Sequence, residues 1–140
     1  MIVCDNIIFE LQRFGGVSKY WAKNIEYLDK STLDVSFLEG INAKNNYYRN
    51  QIKLNGKIIN DNNPSFIKKF FNPKIKANIF HSSYYRISNN SKINIVTIHD
   101  FINELYPSRI TDKVLSIKKK KHVLKHLKFL QFQRIQKKIY

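Results

Sequence analysis

Cysteine is almost absent from this chain of 140 residues. The single Cys4 excludes a disulfide within the molecule. It sits in the apolar run MIVCD, where it reads as a buried, inert thiol of a cytosolic protein rather than a nucleophile. No apolar stretch approaches the roughly 18 residues a membrane span needs, and no signal peptide is expected, since a strand-like run begins at Ile2. Neither G-x-x-x-x-G-K nor G-x-G-x-x-G occurs, which removes the two commonest nucleotide fingerprints, and nothing repeats. Acid is missing from the end of the chain. All ten carboxylates lie at or before Asp112, while Lys113, Lys118 to Lys121, Lys125, Lys128, Arg134, Lys137 and Lys138 follow without a counter-charge. The formal charge of +15 is therefore mostly a property of the tail.

What is present argues for one packed domain with a modest core: 43% hydrophobic residues, ten Phe and eight Tyr. IVCDN (2–6) reads as a short, fully apolar strand. Residues 17–28 place Val17, Tyr20, Trp21, Ile25 and Leu28 at helical spacing. LDVSFLEG (33–40) suits a second strand. Residues 42–63 read as loop or edge structure, with a hairpin expected around Asn55–Gly56. PSFIKKFF (64–71) suits one or two helical turns. KANIFHSS (76–83) and INIVTIHD (93–100) are apolar runs ending in polar residues, as buried parallel strands do when their carboxyl ends open onto a site. From Arg109 onward the pattern is helical. Strands alternating with helices predict an α/β fold with an open, mainly parallel sheet, whose ligands bind at the strand carboxyl ends.

Three clusters carry chemistry. Gly15 and Gly16 enter a helix. The pair is either a plain tight turn or a bare helix start that lets phosphate approach free N–H groups. FHSSYYR (80–86) sets His81, two hydroxyls, Tyr84, Tyr85 and Arg86 after a strand. It reads as a loop packed back on the core, or as tyrosine rings offered to a sugar face. TIHDFINELYP (97–107) ends the most strand-like run with His99 and Asp100, and Glu104 follows. Such a pair can orient a substrate hydroxyl or stabilise developing charge. A metal is not expected, because no third ligand stands at suitable spacing.

Together and in this order, IVCDNIIFELQRFGGVSKYWAKNI, IFHSSYYR and TIHDFINELYP resemble the N-terminal half of a family-4 retaining glycosyltransferase of the GT-B fold. The resemblance runs from residue 2 to about residue 125, and residues 40–75 match nothing in particular. It implies an incomplete, Rossmann-like, acceptor-side domain at 1–125. Activity would be transfer of a sugar from a nucleotide-sugar donor to a glycan or lipid-linked acceptor, in surface polysaccharide or lipopolysaccharide assembly. By the same resemblance Gly15, Gly16 and Val17 form the donor-phosphate loop, and His99 and Asp100 are the catalytic residues. His81, Tyr84, Tyr85 and Glu104 would line the acceptor side. The nucleotide sugar is substrate, so no cofactor is expected. Location would be cytoplasmic or peripheral at the inner face of the plasma membrane.

Within the basic tail 126–140, residues 131–140 (QFQRIQKKIY) are polar and unpatterned. With permitted codons, the frame one base earlier than that of Phe132 reads ISENTKKDI, close to how the family continues after this helix. A frameshift between about Lys118 and Lys125 is therefore expected, with the tail as out-of-frame translation and the donor-binding half missing. An ordinary lysine-rich helix is the alternative. It would support a small basic nucleic-acid-binding module that stacks bases on Tyr47, Tyr48, Tyr84 and Tyr85, or attachment to an anionic membrane. With an out-of-frame tail, nucleic acid is not expected as a partner.

Overall fold

The structure, a computed structural model, describes residues 1–63, 68 and 71–99. Asp100, Glu104, the helix expected from Arg109 and the tail at 126–140 lie outside the described residues, as does nearly all of the segment 64–71.

Five strands form one sheet: β1 (Ile2–Asp5), β2 (Val35–Glu39), β3 (Lys57–Asn60), β4 (Ile79–Ser82) and β5 (Ile93–Val96). Their order is β3-β2-β1-β4-β5, and every pairing is parallel. This is the order of a Rossmann-like α/β sheet. The central position of β1 explains the apolar run Ile2–Cys4: Val3 and Cys4 are fully buried on opposite faces, so both sides of the strand are covered.

Among the described residues, three α-helices lie between the strands, α1 (Ile8–Leu11), α2 (Gly16–Asp29) and α3 (Tyr47–Asn50), with a 3-10 turn at Ala43–Asn45. Helix α2 lays Trp21, Ala22 and Ile25 on the face that carries Cys4, Val35 and Phe37. Its 3.6-residue period brings those three side chains onto one stripe. Tyr20, expected on the same stripe, is 55% exposed and turns toward the strand carboxyl ends. The helix ends where Ser31 Oγ donates to the Leu28 carbonyl at 2.6 Å. Val3, Leu38, Ala77 and Phe80 pack together on the opposite face.

Asn55–Gly56 does not make a hairpin. The Asp29 carboxylate at the end of α2 accepts from the Asn55 and Gly56 amides at 2.9 and 2.7 Å, and the chain then enters β3 parallel to β2. A turn-forming dipeptide was captured by a distant acid, and the strand after it became the edge of the sheet. Burial of Cys4 follows the sequence reading, and its thiol is pushed up to about 12 by that burial and by the charge of Asp5.

Candidate functional site

The chain leaves β1 toward β2 and β3, then returns to place β4 on the other side of β1. The carboxyl ends of β1 and β4 therefore flank the point where strand order reverses, the usual ligand crevice of such sheets. Here the crevice floor is closed by the protein's own charges. Arg86 donates from Nε to Asp5 Oδ2 at 2.9 Å, from Nη1 to Asp61 Oδ2 at 2.7 Å and from Nη2 to Asp5 Oδ1. Ser82 Oγ donates to Asp5 Oδ2 at 2.8 Å, and Ser83 Oγ donates to the Asp5 carbonyl at 2.7 Å. Burial works against the Arg86 charge, but the two carboxylates outweigh it and hold the guanidinium pKa above its usual value. Burial also works against the Asp61 carboxylate, yet Arg86 and the nearby Lys68 keep its pKa below the usual range.

A second buried chain runs from helix to sheet. Trp21 Nε1 donates to Asn6 Oδ1 at 2.7 Å, and Asn6 Nδ2 donates to Glu39 Oε1 at 2.6 Å. Arg49 closes it, with Nε and Nη2 on the Glu39 oxygens at 2.5 and 3.0 Å and Nη1 on the Ile52 carbonyl. Behind both, Lys68 Nζ pairs with Glu10 Oε2 at 2.6 Å directly over Gly40. A Cβ at Gly40 would collide with both side chains. Sequence reading named Arg86 but none of its partners, and Asp5, Asn6, Glu39, Arg49 and Asp61 were missed. The visible signal was a run of acids and amides at strand ends.

The glycine pair divides into two different cases. Gly15 has φ +154°, a conformation that other residues avoid, and a Cβ there would stand 3.0 Å from Gln12 Oε1. Gly16 begins α2 with nothing within 4 Å of where its Cβ would be. The first turn of this helix of 14 residues thus presents N–H groups without intrahelical acceptors behind bare backbone. Val17 is half-buried and packs its side chain on the helix-side core.

Both histidines within the described residues meet α2. His81 lies edge-on to Trp21, ring centroids 4.9 Å apart, and its Nε2 is 3.0 Å from Thr97 Oγ1. Burial lowers its pKa, opposed by the charge of Asp5, which favours the neutral ring. His99 lies edge-on to Tyr20 at 5.9 Å, with Nε2 3.2 Å from the Ser83 carbonyl. A carbonyl only accepts, so Nε2 carries the hydrogen, and in the neutral ring Nδ1 is left as an acceptor. The Tyr84 and Tyr85 rings pack against each other at 4.1 Å. Tyr84 is half-buried, whereas Tyr85 is 7% exposed and turns its surface inward. Of the four tyrosines expected to stack bases, Tyr47 is exposed and Tyr48 packs on the core.

The arrangement offers a helix start suited to an anion and two imidazoles, His81 and His99, all at one end of a parallel sheet. No group of three metal-ligating side chains stands together among the described residues. No helix among them is long and apolar enough to cross a membrane. The fold and this crevice define an α/β protein of the Rossmann-like class. No protein-family model, curated protein or solved structure matches the chain.

Proposed function

We propose that this chain is the acceptor-side half of a GT-B retaining glycosyltransferase of family 4, which moves a sugar from a nucleotide donor to a glycan or lipid-linked acceptor in surface polysaccharide or lipopolysaccharide assembly. One observation carries the reading: the helix opened by the glycine pair packs Trp21 on His81 and Tyr20 on His99, so the three motifs that carry the resemblance meet at one end of the sheet. The donor diphosphate approaches the bare start of α2. His99 Nδ1 accepts from a hydroxyl of the sugar or acceptor. Neutral His81 holds Thr97 in place beside it. Asp100 and Glu104 keep the roles the resemblance gives them. The reaction rests on positioning and on stabilising the departing diphosphate, not on a strong base.

Titrating the ¹⁵N-labelled chain with uridine diphosphate and guanosine diphosphate tests this. The reading expects saturable shifts of the Gly16, Val17 and Ser18 amides with at least one of the two. Shifts confined to other regions, or none at millimolar ligand, overturn it. The isolated chain is expected to lack transferase activity, and donor-dependent transfer by it would refute the half-enzyme assignment.

A further inference from the structure

A separate cleft of about 620 Å³ opens beside the edge strand β3, between the carboxyl end of β2 and the segment that follows α3. Its size lies in the range of small-molecule sites. Among the described residues Glu39 is the one acid on its walls, and both carboxylate oxygens are taken by Arg49, whose three nitrogens are all committed in turn. That pair makes a neutral floor. Lys44 and Lys53 also line the cleft, both exposed and without an ion pair among the described residues, so the cavity carries two uncompensated positive charges. Asn50 and Asn60 add neutral amide groups. The remaining wall is aliphatic, from Ile52, Leu54 and Ile58.

We propose that this cleft binds a phosphate monoester joined to a small organic body. A phosphate monoester carries nearly two negative charges at neutral pH with three strong acceptor oxygens, which matches two ammonium groups flanked by amides. The aliphatic wall receives the carbon body. Phosphate of this kind occurs on soluble metabolites and on lipid headgroups, and the chemistry recognised is the same. The site stands on its own residues and does not depend on the transferase reading.

The test uses the full chain with two probes: glycerol 3-phosphate by calorimetry, and co-sedimentation with phosphatidylcholine vesicles containing phosphatidic acid. Saturable binding of at least one probe is expected. Lys44→Gln and Lys53→Gln should each weaken it about 10-fold or more, as loss of a charged hydrogen bond does. Lys53→Arg should retain it, and Lys92→Gln, just before the opposite edge strand β5, should leave it unchanged. Binding of glycerol 3-phosphate assigns a soluble ligand. Binding of vesicles alone, sensitive to Lys44 and Lys53, assigns a headgroup. No saturable binding of either probe, or binding indifferent to both lysines, overturns the proposal. All three lysines are exposed, and unchanged far-ultraviolet circular dichroism confirms that the variants fold.

Discussion

At the carboxyl end of the sheet the pairs Arg86–Asp5, Arg86–Asp61, Arg49–Glu39 and Lys68–Glu10 all have side chains no more than 6% exposed. At the amino end, Lys23–Glu26, Lys30–Glu26 and the N-terminus with Asp34 have side chains 29% to 76% exposed. The same chemistry is thus used in two environments. Exposed pairs trade water for each other at little gain, whereas a buried charge must keep its partner because nothing else there can solvate it. The difference teaches where the molecule commits its geometry: the end that carries the site is cross-linked by charge.

The sharpest break is Arg86→Met. It leaves Asp5 and Asp61 buried without a counter-charge and should cost about 3–5 kcal/mol in urea unfolding. Replacing Asp5 and Asp61 by Asn in the same chain should recover part of that loss. A loss below about 1 kcal/mol in the single variant would mean that water reaches the cluster.

Gly40→Ala follows. The new methyl has to displace the Glu10–Lys68 pair, an overpacking effect of about 1–3 kcal/mol read from the same denaturation curves. A stability equal to the parent would show that the pair moves freely.

Acid sharpens the comparison next. Asp61 is depressed in the fold, so its contribution is complete above its ordinary pKa near 3.8 and is lost as pH falls through the folded value. His81 is also depressed, so its contribution is complete above about 6.5 and declines below that as the unfolded chain takes up the proton first. His81→Gln should flatten stability between pH 6.5 and the depressed value, and Asp61→Asn should flatten it below pH 4. A parent profile that is level from pH 7 to 5 would contradict the first.

The smallest effect is expected at Glu26. Hydrogen bonds from Lys23 and Lys30 lower its pKa, but both lysines are well exposed to water, so Glu26→Gln should leave the unfolding midpoint within error. A measurable drop that vanishes in 0.5 M salt would show that the exposed pairs are cooperative.

The strands were legible because β1, β2, β4 and β5 are short apolar runs, and α2 because its buried residues recur at helical spacing. The parallel arrangement followed from their alternation with helices. The hairpin at Asn55–Gly56 was misread because local turn preference says nothing about Asp29, 26 residues earlier, which captures those amides. Of the site, His81, His99 and the glycine pair were legible as polar residues at strand ends and a helix start. The charge network was not, because Arg86 and Asp5 stand 81 positions apart and only sheet topology makes them neighbours. Nor could sequence separate the two glycines, one required by its backbone angle and the other facing open space.

Trp21 is the only tryptophan in the chain, and it rests its ring against His81 while its N–H is held by Asn6. A protonated imidazole withdraws emission from an adjacent indole far more than a neutral one does. The molecule therefore carries its own optical gauge at the crevice. Its fluorescence should dim as His81 takes up a proton, which lets the charge state of the ring be followed in the unlabelled protein.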